Sequence, residues 1–457
     1  MKKIFTLLVA AVVLFSCTNK LDIQPQQSID ATTALEKDQD IESALVGCYS
    51  FLGAPSLYGS SLLMVGDLLA ADGNLSWRGT FQGPRQVATR TMNALNTEAE
   101  RIWIGGYDAI NLANTVLENL SKVTDEKTRT RIEGEALVIR ALVHFEMLRL
   151  YAKPWIIGQA NTQLGIPLML KSSNTEALAS QTPTRATVSE VYAQIIADLT
   201  KAETLLPKTN GTRLGSNAAS AILSRVYLMR GEYSKAAVAA DKVIASGSYR
   251  LSAALAAPYN NRSNGSLNAE NIFEILQNNQ NNAGTSNDGL TVFYASLVGI
   301  GRGDIQVSST LRGQYPAGDQ RLAQLFYVGT GRRAGATYTG KWTDFFANIP
   351  IIRLSEMYLT RAECNLRENT TVGGASPAAD ISIIRNRAGL PSVTSVTLAD
   401  VLKERYLELI FEGHRIHDIK RTQGKTGNFN YDDAKLVFPI PQREMNVNKS
   451  LVQNEGY

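Results

Sequence analysis

The chain has 457 residues, of which 44% are hydrophobic and 19% charged, the composition of a globular protein with a sizeable core. Its formal net charge of +4 is spread along the sequence, without a basic block or an acidic tail. This distribution argues against nucleic acid as a partner.

The N-terminal residues have the pattern of a lipoprotein signal peptide over 1–16. Two lysines precede an apolar run over 4–15, which is too short to span a membrane. Ser16 stands directly before Cys17, which predicts cleavage after residue 16 and attachment of acyl chains such as palmitate to Cys17. Several chains would anchor the protein stably. The alternative is a plain secretory signal with an incidental cysteine. The residue after the cysteine, Thr18, is not aspartate. By analogy with bacterial lipoprotein sorting, this favours the outer membrane as the location.

Two further cysteines, Cys48 and Cys364, are far apart in sequence. Both lie in helix-like segments beside apolar residues, so we expect two buried free thiols. A disulfide is the alternative for an exported protein. Neither cysteine stands near a candidate base, which argues against a thiol nucleophile.

Helical periodicity dominates the N-terminal part, residues 17–215. Apolar residues at spacings of three and four predict three long helices, over residues 98–120, 131–151 and 187–206. Trp103 and Tyr107 belong to the buried stripe of the first of these helices. Thr187 and Glu190 form a capping-box pattern at the start of the third.

The sequence pattern predicts a tetratricopeptide-like helical hairpin over residues 216–251. Small residues allow two helices to approach closely, and Gly231 separates them. Tyr233 and Ala236 follow at the positions where such a hairpin places Tyr and Ala. One hairpin cannot bury its own apolar face, so the preceding helices are the expected neighbours.

A loop-rich region is predicted over 252–345, because Asn, Gly and Ser dominate it. Trp342 could belong either to a loop or to a buried strand at its end. Helices resume in the C-terminal part, 346–457. The predicted helices cover residues 349–368, 376–390 and 397–413.

The segment "FEGHRIHDIKR", residues 411–421, holds two of the chain's three histidines, His414 and His417. A zinc site would need two further ligands at suitable spacing, and none completes it. The third histidine, His144, lies on an apolar stripe. Opposite charges recur instead at spacings of three and four over residues 404–421, which predicts a buried, hydrogen-bonded helix junction. Gly413 would be the left-handed C-cap of the preceding helix.

A glycoside hydrolase would need two catalytic carboxyl groups that meet in space. Four carboxyl side chains in the loop-rich region are available: Asp344, Asp304, Asp288 and Glu274. Their spacing singles out no pair. The sequence also lacks a Gly-x-Ser-x-Gly motif, a P-loop and a dinucleotide-binding turn, and the glycine-rich "GIGRGD" (299–304) has no strand-to-helix context.

The chain resembles the SusD/RagB family, surface-exposed outer-membrane lipoproteins of Bacteroidetes. The hairpin over 216–251 and six further segments carry the resemblance: "LDIQPQQSI", "EGEALVIRALVHFEMLRLYAKP", "IPIIRLSEMYLTRAE", "IIRNRAGL", "ERYLELIFEGHRIHDIKR" and "LVFPIPQREMNVNKSLVQNEGY". The resemblance implies one SusD-like domain over 17–457, in the all-α class. Tetratricopeptide-like helix pairs would form its scaffold, and long loops with a few short strands its ligand face.

The same resemblance implies a non-catalytic role without a cofactor or metal. Such proteins face the cell exterior and deliver an oligosaccharide to a SusC-like, TonB-dependent barrel in the outer membrane. Two alternatives stay open. One is capture of peptides or other non-glycan nutrients with the same transporter, and the other is a protein-binding helical-repeat scaffold or adhesin.

Aromatic faces stack on sugar rings, and Asp, Asn and Arg side chains hydrogen-bond the hydroxyls. Two stretches, "ADGNLSWRGTF" (71–81) and "DGLTVFYASLVGIG" (288–301), offer this combination. The candidate ligand-binding residues are Asp72, Asn74, Trp77, Arg78, Phe293 and Tyr294. For each of them, packing beneath a nearby helix is the alternative.

Overall fold

The computed structural model describes residues 35–262 and 265–457. The signal peptide, Cys17 and the segment "LDIQPQQSI" lie outside the described residues. Within these ranges, no helix is both long enough and apolar enough to cross a bilayer.

Most of the described secondary structure is helical, as the sequence predicts. The helices of the first half are α1 (Asp38–Gly53), α2 (Ser61–Leu69), α3 (Gln82–Thr89), α4 (Thr97–Glu118), α5 (Glu126–Tyr151), α6 (Glu176–Ala179), α7 (Val188–Leu205), α8 (Ser216–Arg230) and α9 (Tyr233–Ala245). Those of the second half are α10 (Leu290–Tyr294), α11 (Ser309–Arg312), α12 (Gln320–Gln324), α13 (Leu354–Glu368), α14 (Pro377–Arg387), α15 (Leu398–Leu409), α16 (Arg415–Arg421) and α17 (Gln442–Val447).

Side-chain caps fix where several helices begin. The Asn96 side chain accepts hydrogen bonds from the backbone of residues 98 and 99, which starts α4. At α7, Thr187 Oγ1 accepts from the Glu190 N–H over 3.2 Å, and the Glu190 carboxylate accepts from the Thr187 N–H over 2.8 Å. The predicted capping box is therefore confirmed.

The long helices pack as a series in which each contacts the next, from α4 through α5, α7, α8 and α9 to α13. Glycine permits one of these approaches, since a Cβ on Gly106 of α4 would lie 2.4 Å from the Met147 sulfur of α5. The predicted hairpin is formed by α8 and α9. Gly231 joins them with a φ of 71°, which favours glycine.

Short strands form three small antiparallel sheets. The strands are β1 (Leu75–Trp77), β2 (Asn271–Ile275), β3 (Ile305–Val307), β4 (Phe326–Val328), β5 (Thr337–Thr339), β6 (Ile349–Arg353), β7 (Lys425–Thr426) and β8 (Phe429–Asn430). One sheet has the order β1-β3-β5-β4, with Trp77 opposite Ile305. The other two pair β2 with β6 and β7 with β8.

One prediction for the second half was wrong in part, and the structure decides between the two alternatives for Trp342. Residues 349–353 form β6 rather than the first turn of a helix, because this β-branched run pairs with β2 and α13 begins only at Leu354. Trp342 lies outside any strand. It is buried, and its indole Nε1 donates a hydrogen bond to the Phe411 carbonyl over 2.9 Å.

The predicted charged helix junction is confirmed. The buried Arg353 guanidinium donates hydrogen bonds to the carboxylates of Glu270, Glu408 and Glu412 over 2.7 to 2.9 Å. Lys341 Nζ donates to Glu412 over 2.7 Å. Because each charge has partners, the group fixes the packing of β6 against the end of α15. We call these five side chains the charged junction.

The two histidines of "FEGHRIHDIKR" are buried beside this junction. Burial lowers the pKa of His414 to about 4 and that of His417 well below its ordinary value, so both rings are neutral at pH 7. Gly413 has the predicted left-handed conformation, with a φ of 74°, but it is not a C-cap. The helix α15 ends at Leu409, and Gly413 instead lies against Leu63 of α2, where a Cβ would come within 2.9 Å of the backbone.

Cys48 and Cys364 are buried free thiols, as predicted. Burial raises the pKa of Cys48 to about 12, which keeps its thiol protonated. In the part of the chain that the structure describes, no group of His, Cys, Asp and Glu side chains is arranged to hold a metal ion.

Candidate functional site

Trp77 lies at the end of β1, in a strand rather than in the predicted loop. Its ring is half-buried and packs against Phe293, with 5.8 Å between the ring centroids. Its indole Nε1 has no hydrogen-bond acceptor among the described residues, although almost no solvent reaches it. Because this donor is shielded from solvent, the accessible part of the ring, and not the N–H, is what the residue offers to a ligand.

Phe293 and Tyr294 lie in the core rather than on the surface. They are 1% and 0% exposed, so neither ring can stack on a ligand in this conformation. Both belong to the short helix α10, whose residues are all buried. Tyr294 donates a hydrogen bond from its hydroxyl to Asp67 over 2.5 Å. For these two residues the structure supports the packing alternative, and we leave them out of the candidate surface.

The side chains of Asp72 and Asn74 interact with residues other than Trp77. Asp72 is exposed with a φ of 38°, and its charge acts on Arg90. Asn74 Oδ1 accepts a hydrogen bond from Gln314 over 3.0 Å, which leaves its amide group as the part free to meet a ligand. Both residues lie on the chain that leads into β1.

Arginines cluster around one buried carboxylate next to Trp77. Asp304 forms ion pairs with Arg302 over 3.0 Å and with Arg333 over 3.5 Å. Its backbone carbonyl accepts a hydrogen bond from the Arg78 N–H over 2.6 Å, which brings Arg78 to the same place. Burial raises the pKa of Asp304, whereas the neighbouring arginines favour its charged form.

The aromatic ring of Phe81 also contacts this cluster. The guanidinium of Arg302 stacks over Phe81 at 4.5 Å from the ring centroid and donates to Asn287 and Thr80 over 3.2 and 3.3 Å. Phe81 is half-buried and also contacts Phe293. The Trp77 and Phe81 rings thus pack on the same buried phenylalanine. We call the side chains of Trp77, Arg78, Phe81, Arg302, Arg332, Arg333 and Asp304 the Trp77 surface.

Sequence reasoning missed most of these partners. Arg302 and Asp304 lie in "GIGRGD", a glycine-rich stretch that lacks the strand-to-helix context of a nucleotide-binding loop. Arg332 and Arg333 lie in a second Gly-rich stretch, "GTGRRAGATYTGKW". The available signal was the recurrence of arginine in two glycine-rich loops, but nothing in the sequence shows that the loops meet.

The four carboxyl groups considered for glycoside hydrolysis all have other partners. Asp288 pairs with Arg101 over 2.8 Å, and Asp344 pairs with Arg262. Glu274 accepts hydrogen bonds from the side chains of three asparagines, Asn261, Asn271 and Asn348. No two of the four carboxyl groups share a partner among these bonds.

Grooves also lie elsewhere among the described residues. One, of about 330 Å³, is lined by Trp103 and Tyr107 of α4 together with Val447. Trp103 is buried as predicted, but Tyr107 is only half-buried, and its hydroxyl donates to the Pro167 carbonyl over 2.9 Å. A second groove, of about 220 Å³, is lined by Tyr49 together with apolar residues such as Ile275 and polar residues such as Gln277.

Comparison with known proteins gives the family of this helical scaffold. Residues 21–228 match a family model described as starch-binding associating with outer membrane, and residues 332–457 match the model of the SusD family. The chain belongs to the SusD/RagB family. This confirms the resemblance seen in the sequence.

Individual SusD/RagB relatives match over nearly the full length or over part of it. The SusD-like protein P2 of Formosa agariphila is 28% identical, and the match covers 99% of both chains. The starch-binding protein SusD of Bacteroides thetaiotaomicron is 31% identical over 178 residues, 31% of each chain. A solved SusD superfamily protein from the same organism is 27% identical, with a TM-score of 0.80 over 92% of this chain and 99% of that one.

Proposed function

We propose that this SusD/RagB protein is a non-catalytic, cell-surface lipoprotein that captures an oligosaccharide through its Trp77 surface. Family membership supports binding as the activity, since one matching model and one relative are described as starch-binding. The observation that carries the proposal is local. The half-buried Trp77 ring offers a stacking face for a sugar, and it lies next to Asp304, which pairs with the guanidinium groups of Arg302 and Arg333.

The cellular role follows the same proposal. Cys17 would carry the lipid anchor in the outer membrane, with the domain facing the cell exterior. A SusC-like, TonB-dependent barrel would receive the captured ligand. Mass spectrometry of the mature protein should find acylated Cys17 as the first residue, and the barrel should copurify with the protein from native membranes. An unmodified N-terminus at another residue would contradict the anchor.

Isothermal titration against a panel of oligosaccharides and peptides tests the binding role. We expect at least one oligosaccharide to bind, and Trp77→Ala to weaken it by roughly tenfold, the value of one aromatic stacking contact. Trp155→Ala is the matched control, because Trp155 is also half-buried but stacks with Arg230 and Tyr192. Peptide binding without any oligosaccharide binding would contradict the carbohydrate proposal and leave nutrient capture standing.

A further inference from the structure

The arginines of the Trp77 surface outnumber its carboxylates. Three arginine side chains act on Asp304, since Arg302 and Arg333 pair with it and the Arg332 charge acts on it, and Arg78 joins the group through its backbone N–H. Asp304 is the one carboxylate in this group, and it is 1% exposed. The formal charge of the group is therefore positive by three, with its single negative charge on the buried side.

Nearby acidic groups do not cancel this excess. Asp288 is already engaged by Arg101, which is also 3.9 Å from Glu98. Glu98 is buried and bound by the Ser61 hydroxyl over 2.7 Å. Asp72 is exposed, but its charge acts on Arg90. The acidic side chains next to the cluster thus have cationic or hydroxyl partners of their own.

Two of the four guanidiniums are available to a ligand. Arg78 and Arg332 are exposed, and neither side chain has a hydrogen-bond or salt-bridge partner within the described residues. Arg302 and Arg333 are held in place by Asp304, Phe81 and their backbone neighbours. Each guanidinium presents its N–H donors as a planar fork, which matches a carboxylate or a sulfate better than a neutral hydroxyl.

We propose that the Trp77 surface selects an anionic oligosaccharide, one that carries uronate carboxylates or sulfate esters, over a neutral one. This rests on the proposed capture of an oligosaccharide and specifies its chemical class. The Trp77 ring would contact the apolar face of one sugar unit. Arg78 and Arg332 would each bind an acidic group of the ligand, so affinity depends on charge as well as on stacking.

Size-matched probes test the selection. Titrations in 50 mM salt would compare hexagalacturonate, a heparin-derived sulfated hexasaccharide, maltohexaose and hexaglutamate. We expect one of the two acidic sugars to bind at least tenfold more tightly than maltohexaose, and the better of the two identifies carboxylate or sulfate as the recognised group. Arg78→Gln and Arg332→Gln should each weaken that probe by roughly tenfold, the usual value of a charge-assisted hydrogen bond. Raising the salt to 0.5 M should weaken it further.

Lys127→Gln is the matched control, since it removes one positive charge from an exposed position on α5 and should leave the affinity unchanged. If maltohexaose binds as tightly as the acidic sugars and both arginine variants leave the affinities unaltered, the selection of anionic ligands is refuted while oligosaccharide capture stands. Hexaglutamate binding as tightly as the acidic sugars would also refute it, because the surface would then recognise charge alone. If none of the four probes binds, both proposals fail.

Discussion

The hydroxyl of Tyr294 donates a hydrogen bond to Oδ2 of Asp67 over 2.5 Å, inside the core. The other oxygen of this carboxyl group accepts the backbone N–H of Gly413 over 3.1 Å. One buried acid on α2 therefore connects α10, which lies behind Trp77, to the "FEGHRIHDIKR" segment. Tyr294, which the sequence suggested as a sugar-binding residue, instead donates a hydrogen bond inside the core.

Tyr294→Phe should destabilise the protein and leave ligand affinity intact. The substitution keeps the buried ring but removes the donor, so one oxygen of Asp67 loses its partner at a cost of about 1–3 kcal/mol. Urea unfolding measures the loss, and titration with the best ligand measures the affinity. A fall in affinity without a change in stability would return Tyr294 to the binding surface.

Because the carboxyl group of Asp67 has a raised pKa, it should make the free energy of unfolding fall as the pH rises. Burial raises its pKa from 3.8 to about 7, so between these values the folded state binds more protons than the unfolded state. Its contribution to the free energy of unfolding is present below pH 4 and is lost as the pH passes 7, by up to about 1.4 kcal/mol per pH unit. Unfolding at several pH values should show this slope in the native protein but not in Asp67→Asn, which resembles the protonated acid. Equal slopes in the two proteins would contradict the raised pKa.

The charged junction should be far more sensitive to substitution than an exposed ion pair. Arg353→Gln removes the cation that Glu412, Glu408 and Glu270 share and should cost about 3–5 kcal/mol of unfolding free energy. Arg262→Gln breaks a pair whose arginine is 64% exposed and should cost about 1 kcal/mol or less. Chemical denaturation compares the two variants. Equal losses would show that the junction adds little to stability.

Acid should also weaken the charged junction. Arg353 and Lys341 offset the cost of burial and lower the pKa of Glu412 to about 2, below its ordinary 4.5. A carboxyl group with a lowered folded-state pKa contributes stability above pH 4.5 and loses it as the pH falls towards 2. Unfolding followed by circular dichroism between pH 5 and 2 should therefore show a smaller decline in Glu412→Gln than in the native protein, although the variant starts from a lower stability. A parallel decline would contradict the assignment.

Much of the fold was predictable because its signals are local. The capping box at Thr187, the glycine between α8 and α9, and the apolar stripes of α4 and α5 each depend on residues close in sequence. The start of α13 was not predictable in this way, because residues 349–353 form a strand only through pairing with β2, which is distant in sequence. The charges of 404–421 predicted a junction, but not that Arg353 and Glu270 complete it.

The candidate site was less accessible to sequence reasoning. Trp77 stood out as a large aromatic residue in a turn-prone segment, and the structure keeps it partly exposed. Phe293 had the same appearance, yet it fills the space behind Trp77 because α10 is buried on all sides. Arg302 and Arg333 meet at Asp304 only after two glycine-rich loops fold together, and neither residue spacing nor composition reports that contact.

A crystal structure with the tightest-binding oligosaccharide is the most direct measurement of the role proposed for the Trp77 surface. We predict that a sugar ring lies against the Trp77 indole, with ligand oxygens within hydrogen-bond distance of Arg78 or Arg332. An oligosaccharide bound instead in the groove of Trp103 and Tyr107, with the Trp77 surface unchanged, would contradict it.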